Sequence, residues 1–325
     1  MCEDTGPLTR KRMETIDEEV LAKTEDFIKR SVEAEEPFFV WFNATRMHVF
    51  THLKEESAGK TGKGLYPDGM VEHDGHVGQL LDLLDELKIA DDTIVFYSTD
   101  NGAEVFTWPD GGTTPFHGEK ATTWEGGVRV PAAVRWPGKI PAGKVVNGIV
   151  SHLDWAPTLL AAAGVPDIKG MLKQGVQIGD RRYKVHLDGY NMLDYFMSGG
   201  EGEGPRKEIF YFTDIGQMSA VRHGDIKVHF MVQEGHGFDV WKQPYIPLGW
   251  PSMVNLRADP FERAMHESIG WADWSVRRMY ALSGAAVVAT EFMKTFLDFP
   301  QRQQPGNFNV DAIMQQLEAA RAAGQ

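Results

Sequence analysis

The chain has 325 residues, of which 42% are hydrophobic and 24% are charged, a composition typical of a globular protein with one large domain or two ordinary ones. Its formal net charge of -13 repels phosphate backbones, which argues against nucleic acid as a partner. The single cysteine, Cys2, excludes an internal disulfide and a cysteine-rich zinc site, and no apolar run is long enough to predict a membrane-spanning helix.

The first part of the chain predicts helices that alternate with short apolar strands. Apolar residues recur at helical spacing from Ile16 to about Ala34 and again from Val71 to Leu87. The runs Phe38–Phe42 and Thr93–Ser98 each follow one of these helices and are typical of strands buried on both faces. This order predicts an α/β fold with a mixed, mostly parallel sheet flanked by helices.

The pattern changes after about residue 205. Before that point, Ala132–Trp136 predicts a third strand and Asp154–Ala163 a further helix. Beyond it, short strands separated by tight turns predict a smaller antiparallel sheet, and helical runs close the chain. We therefore expect an α/β core over residues 1–205 and a carboxy-terminal subdomain over 206–325. The segments concerned are Ile209–Phe212, Met218–Arg222, Ile226–Phe230, about Ala285–Phe299 and Asp311–Ala323.

Polar residues follow two of the predicted parallel strands. Asp100 and Asn101, in Ser98–Gly102, offer two hard oxygen ligands that suit calcium or magnesium, although the pentapeptide taken alone favours an ordinary turn. His48 follows the strand Phe38–Phe42 and could donate a proton or a hydrogen bond to an anion, although a lone histidine is more often structural.

A third segment, His117–Pro131, is rich in glycine and contains Lys120. Its glycines allow close backbone approach and its lysine offers an ammonium to an anion, while the alternative is a surface loop with a solvated lysine. A cation site, a lysine and a histidine that converge at one sheet edge would suit a doubly charged, tetrahedral oxyanion ester. The aromatic residues between Gln233 and Pro251 could flank a substrate ring or form a packed loop.

Several motifs together resemble those of the sulfatase family in order and spacing. They are Pro37–Phe42, Ser98–Gly102, Gly118–Pro131, Ser151–Leu159 and the late segment Asn255–Glu262. The resemblance covers nearly the whole chain and implies an alkaline-phosphatase-like fold and hydrolysis of a small-molecule sulfate ester, as in arylsulfatases.

The resemblance also assigns roles to single residues. Asp100 and Asn101 match two oxygen ligands of the family's calcium, with magnesium as an alternative. Lys120 matches the lysine that contacts the sulfate group, and His48 matches the histidine near the leaving group. His52 is the alternative histidine, less favoured because of its position in the loop. Lys120 and His48 are therefore the expected catalytic and substrate-binding residues.

The sequence departs from the family pattern in ways that bear on activity. Sulfatases use a formylglycine made in a Cys/Ser-x-Pro-x-Arg motif, and neither Cys2 nor any serine lies in such a motif. The family's early Asp-Asp pair and its early lysine and histidine are also not found, and His117 stands where many relatives have arginine. We expect a carboxy-terminal portion with about half of the site, so that inactivity of the isolated chain is one expected outcome.

Two other functions stay open at this point. One is a phosphodiesterase or phosphonate monoester hydrolase of the same superfamily, although the Asp-Asn pair favours calcium over a transition metal. The other is a non-catalytic fragment that binds an oxyanion and self-associates through exposed apolar sheet edges. The start of the chain has no signal-peptide pattern, and the sequence leaves the compartment undetermined.

Overall fold

Residues 3–302 and residue 321 are described by the structure, a computed structural model. The chain forms two units, Met1–Thr114 with Val130–Ala142 and Pro115–Arg129 with Gly143–Gln325. The expected domain boundary near residue 205 stays a prediction. The predicted helix Asp311–Ala323 lies, apart from Arg321, outside the described residues.

The first unit is built on two long helices that pack against each other. Apolar residues of these helices, together with the segment that follows the first, form a core around Ile28, Leu83 and Leu84. Three acidic residues in the first turn of the first long helix favour its amino-terminal end electrostatically. The elements are α1 (Arg10–Met13), α2 (Ile16–Glu33), α3 (Leu65–Glu86), β1 (Val95–Ser98) and β2 (Ala132–Arg135).

The predicted strand Phe38–Phe42 is not formed, and this prediction is wrong. Phe38 and Val40 pack against the α2–α3 core, whereas Phe39 and Trp41 are 69% and 79% exposed. An extended chain sends alternate side chains to opposite faces, so here only one face is buried. Among the described residues no strand pairs with this segment, and the predicted parallel pairing is therefore not observed.

The strands predicted at Thr93–Ser98 and Ala132–Trp136 do form, as β1 and β2, and they pair with each other. Their pairing is antiparallel, with Val95 opposite Arg135 and Ser98 opposite Ala132. The carboxyl end of β1 therefore lies at the start of β2, where the Ser98 hydroxyl donates to the carbonyl of Pro131 at 2.8 Å. This contact fixes the backbone just before Asp100.

The second unit contains the predicted antiparallel sheet. Its strands β5 (Glu208–Phe212), β6 (Met218–His223), β7 (Ile226–Val232) and β8 (Ile246–Asn255) pair in chain order, all antiparallel. A long helix, α10 (Tyr280–Asp298), packs Ala285 against Val228 and Met253 of the sheet. The other elements are α4 (Glu125–Val128), α5 (Trp155–Ala162), α6 (Ile168–Gln174), β3 (Val176–Ile178), β4 (Arg181–Tyr183), α7 (Leu193–Met197), α8 (Ala264–Glu267), α9 (Trp271–Val276) and α10 (Tyr280–Asp298).

No helix within residues 3–302 combines the length and the apolarity that a bilayer-spanning segment requires. The small carboxy-terminal antiparallel sheet agrees with the sequence prediction.

The exposed aromatic side chains of the extended segment predict self-association. Exposed apolar patches on an unpaired, extended backbone favour association between chains. We expect the double variant Phe39→Ser/Trp41→Ser to shift the chain from oligomer to monomer in sedimentation velocity, without lowering its melting temperature. Trp250→Ser, at an aromatic residue that is 55% exposed on β8, is the matched control and should leave the oligomer intact. A single monomer peak from the unaltered chain would contradict the prediction.

Candidate active site

His48 lies on an exposed turn after the extended segment. Its backbone N–H donates to the carbonyl of Thr45 at 2.9 Å, and the hydroxyl of Thr51 donates to the His48 carbonyl at 2.9 Å. The ring nitrogen Nδ1 lies 3.3 Å from the carbonyl of Val49. The backbone of the turn is therefore fixed, while the imidazole remains exposed to solvent. The alternative histidine, His52, is half-buried.

A buried ionic network holds this turn against the two long helices. Asp17 of α2 accepts hydrogen bonds from the backbone N–H groups of Thr45, at 2.9 Å, and Arg46, at 3.3 Å. The guanidinium of Arg46 donates to Glu72 of α3, with Nε 2.8 Å and a terminal nitrogen 2.7 Å from the carboxylate. These three side chains are at most 5% exposed. The residues that precede His48 are therefore anchored from two helices at once.

Two further contacts restrict the same turn. The indole N–H of Trp108 donates to the carbonyl of Met47 at 2.9 Å. On α3, a Cβ atom added at Gly69 would meet the end of the Met47 side chain, so a larger residue there would require that side chain to move. The hydroxyl of Ser57 also donates to Glu72, which gives that carboxylate a second partner.

Removing the cation of this network should strongly destabilise the protein. Arg46→Met leaves two buried carboxylates without their cation, and we expect a loss of about 3–5 kcal/mol in the free energy of unfolding. Arg30→Met is the matched control, because Arg30 and Asp26 form an exposed pair at 2.8 Å whose loss should cost less than about 1 kcal/mol. Urea unfolding followed by circular dichroism measures both, and equal losses would contradict the prediction.

Asp100 and Asn101 lie directly after β1. Asp100 is exposed, and the side-chain N–H of Asn101 donates to the carbonyl of Gly102 at 2.9 Å, which leaves the amide oxygen as the atom that can act as a ligand. The two oxygens suit a hard cation, but calcium takes six to eight oxygen ligands. Within the described part of the chain, no group of three or more His, Cys, Asp or Glu side chains is arranged to hold a metal. The pair fits calcium in chemistry, and its role as a metal ligand stays a prediction.

Lys120 lies in the second unit, whereas His48, Asp100 and Asn101 lie in the first. It is half-buried and occupies a tight turn that is closed by a 3.0 Å hydrogen bond from the Thr122 N–H to the Glu119 carbonyl. Ala121, the next residue, has a φ of 73°, a left-handed conformation that is uncommon for a residue with a Cβ atom. Such a conformation persists only where the surrounding contacts determine it.

The segment from residue 236 to 245 contacts the residues on both sides of Lys120. The buried carboxylate of Glu119 accepts from the backbone N–H of Gly237 at 2.8 Å and lies 2.8 Å from Nδ1 of His236. The hydroxyl of Tyr245 donates to the carbonyl of Ala121 at 3.1 Å. Tyr245 therefore belongs to a packed loop, one of the two interpretations that the sequence left open, and this loop supports the Lys120 turn.

A buried cluster of charged residues lies beyond the turn, at the start of α4. Lys227 of β7 is fully buried, and its ammonium donates to the Thr123 carbonyl at 2.8 Å and lies 3.1 Å from Glu125 and 3.0 Å from Glu262. His229, two residues along the same strand, places Nε2 2.9 Å from Glu262. The ring of Trp124 stacks on that of His117 and contacts that of His229, with centroid distances of 4.3 Å in both cases. Sequence reasoning missed Lys227 and His229, which occur within an ordinary strand pattern.

The pKa values of His229 and Glu262 are both lowered, but for different physical reasons. Desolvation lowers the pKa of His229 from 6.5 to about 4, because burial disfavours the charged form of the ring. Desolvation alone would raise the pKa of Glu262, but the Lys227 ammonium and the hydrogen bond to His229 lower it to about 2. His229 is therefore neutral and Glu262 ionised at neutral pH.

This pair predicts how stability depends on pH. The unfolded chain takes up a proton on His229 near pH 6.5, whereas the folded chain does so only near pH 4, so stability falls as the pH is lowered through that interval. We expect His229→Gln to abolish a component of up to about 3 kcal/mol in the unfolding free energy between pH 7 and pH 4.5. Lower pH values are avoided because Glu262 also titrates there.

Unfolding by urea at a series of pH values measures this component. His223→Gln, at an exposed position on β6, is the matched control and should keep the pH dependence of the unaltered chain. Identical slopes for the unaltered chain and His229→Gln would contradict the prediction.

Comparison with known proteins places the chain in a family. The sulfatase family model matches residues 1–165. The chain is 35% identical over 207 residues to N-acetylgalactosamine-6-sulfatase of Homo sapiens, which is 63% of this chain and 36% of that protein. It is 30% identical over 229 residues to arylsulfatase A of Homo sapiens, which is 69% of this chain and 42% of that protein. The matched region thus spans less than half the length of either relative.

A solved structure supports the alkaline-phosphatase-like fold that the sequence predicted. The crystal structure of the PsFucS1 sulfatase from Pseudoalteromonas sp. superimposes with a TM-score of 0.76 and 24% sequence identity, over 93% of this chain and 57% of that one. Because the family model covers half of the 325 residues, the chain belongs to the sulfatase family, whose members are sulfuric ester hydrolases.

Proposed function

We propose that this chain takes part in the hydrolysis of small-molecule sulfate esters, with Lys120, His48, Asp100 and Asn101 as its site residues. The observation that carries the proposal is the sulfatase family match, because all four residues lie within the matched residues 1–165. The local structure is compatible with these roles. Each of the four lies on a turn or at a strand end, as expected for side chains that contact a ligand.

Lys120 would bind the sulfate group. An ammonium next to a sulfuryl oxygen stabilises the negative charge that accumulates there as the ester bond breaks. Its turn is fixed before any ligand binds, since Glu119 is 2% exposed and bonded to Gly237. A preorganised donor avoids the free energy of ordering the loop during the reaction.

His48 would donate a proton to the leaving oxygen. With Nδ1 facing the Val49 carbonyl at 3.3 Å, Nε2 is the ring atom that can reach an ester oxygen. An imidazolium at this position could protonate the ester oxygen as its bond to sulfur breaks, so that the group leaves as an alcohol, and the neutral ring could then accept a proton from the water that attacks sulfur. The exposed ring allows access, and the anchored turn sets its direction.

Asp100 and Asn101 would hold calcium, with magnesium as the alternative. When bound, the ion would polarise the sulfate group and hold it in place for attack. The chain's own contribution is one carboxylate and one amide oxygen, and the remaining ligands would come from water, substrate or other protein groups. Neither Cys2 nor any serine lies in a Cys/Ser-x-Pro-x-Arg motif, so sulfate binding and leaving-group protonation are the steps in which these residues would act.

The test uses an aryl sulfate, calcium and the protein as its natural gene encodes it. We expect Lys120→Ala to lower kcat/KM about 100-fold or more, as for the loss of one oxyanion donor. His48→Asn should lower kcat by about 100-fold or more, and less so for substrates with good leaving groups that need no protonation. Asp100→Asn should raise the calcium concentration needed for half-maximal rate. Lys144→Ala, at an exposed position, is the matched control and should leave the rate unchanged.

Other outcomes would favour other functions. Faster turnover of phosphate esters with a transition metal would favour a phosphodiesterase or phosphonate monoester hydrolase. Binding of sulfate without release from any ester would favour a non-catalytic oxyanion-binding protein. Unchanged activity in Lys120→Ala would remove the central assignment.

A further inference from the structure

The late segment Asn255–Glu262 has no role in the proposed chemistry, yet its last side chain is fully buried. The segment follows β8 and forms a turn in which the Asn255 side chain accepts from the backbone N–H groups of Arg257 and Ala258, at 3.0 and 3.1 Å. Glu262 is 0% exposed and has a φ of 54°, the left-handed region that a residue with a Cβ atom rarely adopts. A strained backbone and a buried carboxylate both disfavour folding, so the contacts of Glu262 must offset them.

Those contacts reach both ends of the loop that carries Lys120. At one end, Oε2 of Glu262 accepts from the backbone N–H of Glu125, the first residue of α4, at 2.6 Å. At the other end, the Glu262 carbonyl lies 3.3 Å from Nδ1 of His117. Residues 117 and 125 lie on either side of the Lys120 turn in the sequence. Glu262 alone therefore holds the loop in place both before and after that turn.

The second carboxylate oxygen connects the loop to the sheet. Oε1 lies 3.0 Å from the Lys227 ammonium and 2.9 Å from Nε2 of His229, both on β7. Lys227 also contacts the Thr123 carbonyl and Glu125, so its three N–H donors are directed at the loop and at Glu262. The charges balance, because Arg129 lies 3.2 Å from the other oxygen of Glu125.

A buried cluster of charged residues contributes little to the net free energy of folding. Desolvating several charges can cost as much as their attraction returns, and apolar residues of similar volume would often stabilise a protein equally well. The cluster instead fixes the conformation of the loop, because each hydrogen bond holds one loop residue in place. Preorganised geometry of this kind is what an anion-binding lysine requires.

We propose that Glu262 is a positioning residue for Lys120: by holding residues 117 and 125 against β7, it fixes the lysine turn in the conformation that binds a tetrahedral oxyanion. The inference rests on the proposed function of Lys120. It also gives the late segment a role, since the segment supplies the carboxylate that the loop needs.

The substitution Glu262→Gln tests this with little change in volume. The two oxygens of Glu262 serve different partners, so the single amide oxygen of glutamine can accept from Glu125 or from Lys227, but not from both. Lys227→Met/Glu262→Gln, which removes the cation together with the anion, serves if the single variant does not fold. Glu267→Gln, the same substitution at an exposed residue of α8, is the matched control.

The measurement is the affinity of the full chain for inorganic sulfate, by isothermal titration calorimetry, in a double-mutant cycle with Lys120→Ala. We expect Glu262→Gln to weaken sulfate binding about fivefold or more, and to have no further effect when Lys120 is already alanine. Hydrogen exchange of the amides of residues 117–125 should accelerate in Glu262→Gln, while exchange in β6 and β7 stays unchanged. Glu267→Gln should match the unaltered chain in both measurements.

The outcomes separate this inference from the proposed function. If Lys120→Ala weakens sulfate binding and Glu262→Gln lowers only the melting temperature, the positioning role is wrong and the function of Lys120 stands. Equal losses from Glu262→Gln with and without Lys120 would also overturn the positioning role, because the two residues would then act independently. If Lys120→Ala leaves the affinity unchanged, or the unaltered chain does not bind sulfate, the proposed function fails and the inference fails with it.

Discussion

Buried carboxylates that accept hydrogen bonds from loop backbone are the interaction on which both candidate loops depend. Asp17 accepts from the N–H groups of Thr45 and Arg46, and Glu262 accepts from the N–H of Glu125. A loop that folds inward carries backbone donors with no strand or helix to pair them, and a buried N–H without a partner costs free energy. A carboxylate pairs with two such groups at once, and a buried cation, Arg46 or Lys227, compensates its charge.

In both loops, a buried residue that anchors the backbone lies close in sequence to the candidate site residue. In the first unit, Arg46 is buried and anchors the turn, while His48, two residues later, is exposed. In the second unit, Glu119 is 2% exposed and bonded to Gly237, while Lys120 beside it is half-buried. In each case an inward-facing charge fixes the backbone, and a nearby residue that carries the proposed chemistry stays accessible.

Membership of the sulfatase family indicates the class of reaction, and the structure shows the contacts that hold the candidate site residues in place. The family match includes His48, Asp100, Asn101 and Lys120, but it ends before Lys227 and Glu262. The support of the Lys120 turn therefore comes from a part of the chain beyond the matched residues. A substitution in the carboxy-terminal sheet could in this way act on the candidate site without touching a substrate.

The sequence by itself determined the helices α2 and α3, the antiparallel order of β5 to β7 and the location of Asp100 and Asn101 directly after β1. These features follow from local periodicity and turn chemistry, which operate over a few residues. The family resemblance added what periodicity does not contain, namely the expected roles of Lys120 and His48.

Only the tertiary structure decided which faces are buried and which charges are paired. Phe38–Phe42 reads as a doubly buried strand, but its second face is covered only if another element lies against it, and Phe39 and Trp41 are exposed. Lys227 and His229 alternate with apolar residues, a pattern typical of a solvent-facing side of a strand, yet both are buried. Their partners, Glu125 and Glu262, are distant in sequence, and local periodicity does not indicate which carboxylate meets which ammonium.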